Sequence, residues 1–331
     1  MGGVAGAAQR MERAAEWMER HQVALCLTAL ALGAGLGLGL PSVARPAAVV
    51  ITPTLALLLL VTFVGIPFAR IATAWRNGRF LAVLLGLNFV VAPLVAYAVS
   101  RLVADDVALV TGVLLVLLAP CVDYVIVFTG LAGGDREGLL AATPLLMLAQ
   151  MVLLPLQLRL LGGGAAADAI AWGPFLMAFV VVILVPLLAA GLLQLVIPRV
   201  TWGGRLESAL QVSMVPLMMA TLTVVVASQI GAVGARLEVL RTVPAFVVFA
   251  MVMAVLGLAA GRLVKLDVPG RRAAVFSGVT RNSLVVLPLA LAMPPALGSV
   301  PLVVVTQTMV ELVVMVVLVG ILGRNPGSAE G

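Results

Sequence analysis

The sequence predicts an all-α polytopic membrane protein with ten transmembrane helices. The chain is 63% hydrophobic and 10% charged, and its mean hydropathy of +1.22 lies outside the range of soluble domains. Apolar stretches of about 20 residues, the length that crosses a bilayer, recur along nearly all of its 331 residues. The charged residues concentrate in short segments between these stretches, so no separate soluble domain is expected.

The predicted spans are separated by glycine, proline and charged residues. Their approximate limits are 22–40, 47–69, 80–100, 107–131, 138–161, 170–197, 206–229, 241–261, 272–293 and 299–323. Residues 1–21 are predicted to form a cytosolic amphipathic segment rather than a signal peptide, because glutamates alternate with the arginines and the following apolar run is long. Residues 325–331 form a predicted cytosolic tail.

Positive charge is distributed unevenly between the predicted loops. With the N-terminus inside, fourteen Lys and Arg residues lie on the cytoplasmic side and five on the outer side. The positive-inside rule therefore predicts a multi-pass protein of the cell membrane with both termini in the cytoplasm. Because each half has five spans, residues 162–324 start on the opposite side from residues 22–161. This arrangement is typical of inverted-repeat secondary transporters, whose sites lie on broken helices near the membrane midplane.

Spans 4 and 9 correspond in the two predicted repeats and share unusual features. Span 4 contains APCVDYVIVF at mid-depth, and span 9 contains SGVTRNSLVVLPLAL. Each combines a polar cluster, an ionisable residue and a residue that weakens a helix, which in span 4 is Pro120. We therefore predict that both helices are broken and that they cross.

Three ionisable residues lie at mid-span, namely Asp123, Arg281 and Glu311. A charge at a helix centre costs at least about 2.5–3.5 kcal/mol on insertion scales, so such residues face protein or water and are usually paired. We expect an Asp123–Arg281 ion pair at the crossing, as part of a transport site or only as a structural link. Glu311 and Asp123 are the candidate proton carriers. The alternative for Glu311 is a structural hydrogen bond to a neighbour such as Gln307.

Cys121 is the candidate soft ligand, because it directly follows Pro120 at the predicted break. Cys26 has no polar neighbours and is interpreted as packing. Asn282 and Ser283 supply neutral polar groups at the same depth and complete the predicted substrate site. Both cysteines lie in apolar runs, so no disulfide framework is expected.

Three further amides, in spans 3 and 5, are candidates to line the cavity, but the favoured interpretation is helix–helix hydrogen bonding: Asn88, Gln150 and Gln157. No cofactor or resident metal site is predicted, and the scattered basic residues do not indicate a nucleic-acid partner. The chain has no His-Glu-x-x-His motif and no histidine near a serine or cysteine, so an enzyme is not expected.

Two stretches resemble a known family. APCVDYVIVFTGLAGGDREGLLAATPLLMLAQ resembles span 4 and the following loop of the ACR3-type arsenite efflux permeases (arsenic resistance proteins), and VTRNSLVVLPLALAMP resembles span 9 of the wider bile acid:sodium symporter superfamily. The resemblance implies ten helices in inverted repeats. It also implies a core domain of spans 3–5 and 8–10 and a panel domain of spans 1, 2, 6 and 7.

The resemblance also exposes departures from the family pattern. Sodium-coupled members carry a glutamate and a glutamine in span 9 as sodium ligands, where this chain has Ser277 and Arg281. The hypothesis is that the guanidinium of Arg281 replaces that ion, with Asp123 as its counter-charge, in a sodium-independent transporter. The arsenite permeases have a glutamate two residues after the span-9 asparagine. Here that position is Leu284, and Asp123 is expected to compensate.

The resulting interpretation is a secondary transporter that exports arsenite or a related trivalent metalloid in exchange for protons. Cys121 would capture the substrate, Asp123 or Glu311 would carry the proton, and the core would move against the panel within the lipid bilayer. The alternative is a sodium- or proton-coupled organic anion transporter in which Arg281 binds a carboxylate or sulfonate. Replacement of Cys121 by serine distinguishes the two, because only metalloid export needs the thiol.

Overall fold

The computed structural model describes residues 17–18, 21–65, 77–122, 124–163, 170, 172–200, 202–235 and 237–323. Within these ranges the chain is helical and contains no β-strand. The predicted tail 325–331, Asp123 and most of the predicted segment 1–21 lie outside the described residues.

The α-helices of the first half are α1 (Gln22–Gly39), α2 (Ala44–Gly65), α3 (Gly78–Gly86), α4 (Ala92–Ser100), α5 (Val107–Leu117), α6 (Val125–Leu131) and α7 (Arg136–Leu161). Those of the second half are α8 (Trp172–Ala178), α9 (Val185–Val196), α10 (Gly203–Ala235), α11 (Val243–Leu263), α12 (Val268–Val279), α13 (Ser283–Leu291) and α14 (Val300–Leu322). Wider π-helical turns join α3 to α4 (Leu87–Val91) and α8 to α9 (Phe179–Leu184). Short 3₁₀ turns are Pro41–Val43, Arg101–Val103, Ile197–Arg199, Leu237–Thr242 and Pro295–Leu297.

Seven helical stretches of the described residues are long and apolar enough to cross a membrane. They are Ala44–Gly65, Gly78–Val103, Arg136–Leu161, Phe175–Arg199, Leu206–Gly231, Leu237–Leu263 and Pro295–Leu322. These correspond to predicted spans 2, 3, 5, 6, 7, 8 and 10. Span 1 corresponds to the shorter α1, and spans 4 and 9 are each divided into two short helices. The protein is thus a helical multi-pass membrane protein, and the ten-span inverted repeat stays a prediction.

The chain divides into two compact units. Unit 1 consists of Met1–Ile66 and Gly173–Arg236, and its described helices are α1, α2, α9, α10 and nearly all of α8. Unit 2 consists of Pro67–Trp172 and Leu237–Gly331 and contains α3 to α7 and α11 to α14.

Within unit 1, α1 packs closely against α10 through two glycines. A Cβ atom added at Gly33 would lie 2.7 Å from the carbonyl oxygen of Thr223, and one at Gly37 would meet the backbone of Ala227. The Thr223 hydroxyl also donates to the carbonyl oxygen of Ala29 at 3.2 Å. Small residues allow the backbones of membrane helices to approach closely, and Gly33 and Gly37 allow this between α1 and α10.

Replacing Gly33 by alanine is expected to lower the free energy of unfolding by about 1–3 kcal/mol, because the added methyl overpacks the contact between α1 and α10. Gly35→Ala is the matched control, since a Cβ at Gly35 meets nothing within 4 Å. Thermal unfolding in detergent measures both variants. Equal stability of the two would show that the close contact contributes nothing.

The centre of unit 2 is formed by α5 and α13. Every residue of α5 from Ala108 to Leu117 is buried, as is every residue of α13 from Ser283 to Ala290. A helix that faces lipid keeps an exposed apolar side, so these two helices are surrounded by protein instead. This enclosure explains how spans 4 and 9 tolerate polar residues that would be costly against lipid.

A glycine turn at one end of unit 2 joins α6 to α7. Gly133 has a φ of +67°, a backbone conformation that glycine adopts without steric cost. A Cβ at Gly134 would lie 2.6 Å from the side chain of Thr129. Asp135 caps α7 by accepting from the N–H of Gly138 at 2.8 Å, and its own N–H donates to the carbonyl oxygen of Pro269 at 2.9 Å. The turn therefore ties span 4 to the start of span 9.

Candidate functional site

Both central spans are interrupted near their middles. In span 4 the first helix ends at Leu117 and the second begins at Val125; in span 9 the helices end at Val279 and resume at Ser283. Pro120 lies in the first interruption, where its missing N–H cannot continue a helical ladder. The predicted helix-breaking residue is therefore located at the interruption itself.

The two interruptions pair with each other as a short antiparallel bridge. The N–H of Asn282 donates to the carbonyl oxygen of Ala119 at 2.7 Å, and the N–H of Cys121 donates to the carbonyl oxygen of Thr280 at 3.3 Å. Unwound backbone inside a membrane must find partners within the protein, and here each break supplies partners to the other. Spans 4 and 9 consequently meet at their breaks.

The guanidinium of Arg281 is fully buried and bound by neutral oxygens. It donates to the Asn88 side-chain oxygen at 2.9 Å and to the carbonyl oxygens of Leu117 at 3.3 Å and Ser277 at 3.0 Å. A further bond goes to the carbonyl oxygen of Gly278. We call these four acceptors the oxygen cage. The four acceptors are supplied by α5, α12 and the π-helical turn of span 3.

Asn88 reaches the cage because of where it lies in its helix. It belongs to the π-helical turn Leu87–Val91, and such turns often occur at functional sites. Its amide nitrogen donates to the carbonyl oxygen of Leu84 at 3.0 Å and to the Ser277 hydroxyl at 2.9 Å, which leaves its oxygen directed at Arg281. The sequence suggests Asn88 as a helix–helix hydrogen-bonding group or a cavity-lining residue, and its bonds to Ser277 and Arg281 do link span 3 to span 9. The sequence gives no sign that its partner is Arg281.

The carboxyl group of Glu311, on α14, binds both interruptions. One oxygen accepts from the Tyr124 hydroxyl at 2.6 Å, and the other accepts from the backbone N–H of Arg281 at 2.9 Å and from the Gln307 amide. The side chain is buried. The hydrogen bond from Gln307 that the sequence suggested is thus present, together with two bonds that the sequence did not suggest.

Tyr124 is a residue that sequence reasoning missed. It directly precedes α6, its side chain is buried, and its ring packs edge-on against Phe128 at 6.2 Å between ring centroids. The signal was present in the composition, because the chain has only two tyrosines and this one adjoins the broken part of span 4.

A family model, described as the Sodium Bile acid symporter family, matches residues 52–236. The match covers more than half of the chain. The protein belongs to the sodium bile acid symporter family. The superfamily predicted from spans 4 and 9 is thereby confirmed. No curated protein matches the chain.

Proteins of the sodium bile acid symporter family are transporters, so the coarse functional prediction of a membrane transporter is supported. The matched region includes the interruption of span 4 at Pro120 and ends before that of span 9 at Arg281.

In this family member the four predicted substrate residues that the structure describes, Cys121, Arg281, Asn282 and Ser283, lie at the two paired breaks. Cys121 is 1% exposed and is not in a disulfide. Asn282 caps α13 by accepting from the N–H of Val285 at 3.2 Å. The amide nitrogen of Asn282 and the hydroxyl of Ser283 are buried and have no hydrogen-bond partner among the described residues. Asp123 lies outside the described residues, so its ion pair with Arg281 stays a prediction.

The remaining predicted amides lie on α7. Gln157 donates to the carbonyl oxygen of Phe89 at 3.1 Å, which links span 5 to span 3 by the kind of helix–helix bond that the sequence suggested. Gln150 is buried, and its side-chain oxygen has no partner within the described part of the chain. In the same described ranges, no three His, Cys, Asp or Glu side chains are grouped to hold a metal ion.

Proposed function

We propose that the protein is a sodium-independent, proton-coupled secondary transporter that exports arsenite or a related trivalent metalloid. The oxygen cage around Arg281 carries the proposal. Backbone carbonyl and amide oxygens are the ligands that hard cations such as Ca²⁺ take in proteins, and here the cation they surround belongs to the chain itself. A transporter whose cation position is permanently filled has no need of an external sodium ion.

The same geometry argues against Arg281 as a direct anion ligand. Its side chain is 0% exposed, and both terminal nitrogens donate to protein oxygens. An organic carboxylate or sulfonate would have to displace these bonds to reach the guanidinium. The Arg281-binding form of the organic anion alternative is therefore disfavoured.

Substrate capture is assigned to Cys121, because a soft thiolate is the protein ligand that suits a thiophilic metalloid. The thiol belongs to the unwound part of span 4, whose backbone is bonded to span 9. The unpartnered groups of Asn282 and Ser283 lie in the facing break and are available to bind the hydroxyl groups of arsenite. A substrate bound here would contact both broken helices at once.

Proton coupling is assigned to Glu311, with Asp123 as the second candidate. The Glu311 carboxyl group bonds to both broken helices, so a change in its charge acts on the substrate site directly. The division of the chain into two compact units supports alternating access, in which one body moves relative to another.

Arsenite uptake into everted membrane vesicles tests the proposal, with proton and sodium gradients imposed separately at constant ionic strength. We expect uptake to require the proton gradient and to be unaffected by sodium. Cys121→Ser should reduce the initial rate about tenfold or more, the equivalent of at least about 1.4 kcal/mol of lost binding. Cys26→Ser is the matched control, because Cys26 is the other cysteine and is buried in α1 of unit 1.

Uptake that is unchanged in Cys121→Ser would refute capture by the thiol. Family membership favours an organic anion as the second candidate substrate, so the same vesicles should also be tested with a bile acid. Uptake of the bile acid but not of arsenite would replace the proposed substrate. Strict dependence on sodium would refute the role given to the oxygen cage.

A further inference from the structure

The hydroxyl of Tyr124 lies within hydrogen-bond distance of two acceptors. The carboxylate oxygen of Glu311 is 2.6 Å away and the backbone carbonyl oxygen of Arg281 is 3.1 Å away. A hydroxyl has a single proton and can donate to only one of them at a time. The protonation state of Glu311 determines which of the two oxygens accepts the stronger hydrogen bond from Tyr124.

We propose that Tyr124 transmits the protonation of Glu311 to the crossing by moving its hydroxyl proton between Glu311 and the Arg281 carbonyl. The proposal rests on the proton coupling proposed above and assigns Tyr124 a role as a positioning residue. It specifies how one proton at the carboxyl group changes the bonds of the unwound backbone.

Both states satisfy their hydrogen bonds. When Glu311 is charged, Tyr124 donates to it, because a bond to an ionised acceptor is about twice as strong as a neutral one. When water delivers a proton to the carboxylate, the new carboxylic O–H donates to the tyrosine oxygen. The tyrosine keeps its own proton, which rotates towards the carbonyl oxygen of Arg281. No other proton is gained or lost.

The backbone of residue 281 is the element that this change affects. Its N–H donates to Glu311 at 2.9 Å, so one end of the peptide is already held by the carboxyl group. In the protonated state the carbonyl oxygen of Arg281 also gains the bond from Tyr124. The broken segment of span 9 is then bonded to span 4 through side chain as well as backbone. A two-state element biased by a proton is what a coupled transporter requires.

A small cavity of about 10 Å³, close to the space that one water molecule needs, adjoins the carboxyl group. Glu311 and Gln307 contribute its polar lining, and the remaining lining is apolar and includes Phe249 of α11 and Leu117 of α5. The side-chain oxygen of Gln307 has no hydrogen-bond partner among the described residues. A water that enters the cavity would therefore find an acceptor next to the carboxyl group.

Few groups of the described residues face Glu311. From the two breaks they are the Tyr124 hydroxyl and the N–H of Arg281, and the charge of the Arg281 guanidinium, which also interacts with the Cys121 thiol, acts on the carboxyl group as well. From its own helix it is Gln307. The lining that α11 contributes to the adjoining cavity is apolar. Asp123, next to Tyr124, lies outside the described residues.

Infrared difference spectroscopy across a pH titration tests the proposal without any transported substrate. The full-length protein carries ring-labelled tyrosine, so that the carboxylic acid band and the tyrosine band are followed together. Because the chain has two tyrosines, Tyr97→Phe leaves Tyr124 as the sole source of the tyrosine signal. Tyr97 lies on α4 and packs against Arg101, away from the crossing. Tyr124→Phe removes only the hydroxyl.

We expect the tyrosine band to shift with the same midpoint as the carboxylic acid band in the wild type and in Tyr97→Phe. The shift should be lost in Tyr124→Phe, and both signals should be lost in Glu311→Gln. A tyrosine band that ignores the titration of Glu311, or a shift that persists in Tyr124→Phe, would overturn the proposal. Absence of a carboxylic acid band at any pH would overturn it as well.

Failure of the Tyr124 proposal can be distinguished from failure of the proposed substrate. Coupled bands with no arsenite transport would retain the role of Tyr124 and reject the metalloid. Proton-driven arsenite transport with a tyrosine band that does not respond to pH would retain the metalloid substrate and reject the role of Tyr124. If Glu311→Gln does not fold, the comparison of wild type, Tyr97→Phe and Tyr124→Phe decides the question alone.

Discussion

Arg281→Ala is expected to lower the free energy of unfolding by about 3 kcal/mol or more and to make it dependent on sodium. Removing the guanidinium leaves the oxygen cage without donors, and each buried acceptor left unsatisfied costs about 1–3 kcal/mol. The vacated space is lined by oxygens that suit a small hard cation. Sodium that binds only the folded variant would stabilise it by mass action.

Thermal unfolding of the purified protein in sodium, potassium and choline chloride at equal ionic strength measures this effect. The wild type should unfold at the same temperature in all three salts, and Arg281→Ala should be most stable in sodium. Arg101→Ala is the matched control, because Arg101 is an exposed arginine at the end of span 3 that contacts Tyr97 and Ser100. A destabilised Arg281→Ala with no response to sodium would contradict the substitution of an ion by the guanidinium.

Glu311→Gln is expected to abolish transport driven by a proton gradient while exchange of substrate at equal pH continues. A glutamine amide does not take up and release a proton at physiological pH, so the proton-coupled step is lost. Stability should also fall by about 1–3 kcal/mol, because an amide NH₂ replaces an acceptor and faces the donors of Arg281 and Gln307.

Proteoliposomes loaded with arsenite measure the two activities in one preparation, by imposing a pH gradient in one arm and exchanging labelled substrate in the other. Glu207→Gln serves as the control, since Glu207 is an exposed acid on α10. Proton-driven accumulation that survives in Glu311→Gln would show that another group carries the proton, and Asp123 is the next candidate.

The positions of the breaks could be read from the sequence. A proline and an aspartate within the apolar run of span 4, and the polar group Thr280-Arg281-Asn282 in span 9, are incompatible with plain lipid-facing helices. The structure places interruptions at both points. These signals are local, since each depends on a residue's own chemistry and on its depth in the membrane.

Apart from the Gln307 bond to Glu311, the partners of the buried charged groups could not be read from the sequence. The described bonds of the Arg281 guanidinium go to three carbonyl oxygens and Asn88, none of which the sequence predicts, and the ion pair with Asp123 stays a prediction. Backbone carbonyls carry no sequence signal, and Asn88 lies in a π-helical turn that the sequence does not predict. The role of Tyr124 has no local sequence signal, because its partner Glu311 is 187 residues away.

The sequence by itself thus determined the membrane environment, the approximate spans, the two breaks and the identities of the buried charged residues. Each of these follows from what a bilayer permits at a given depth. Only the tertiary structure decided that the breaks pair with each other, that Arg281 is enclosed by oxygens and that Glu311 holds both broken helices through Tyr124 and the backbone of Arg281. The physical reason is that hydrogen bonds depend on distances between helices, and those distances are set by packing across the whole fold.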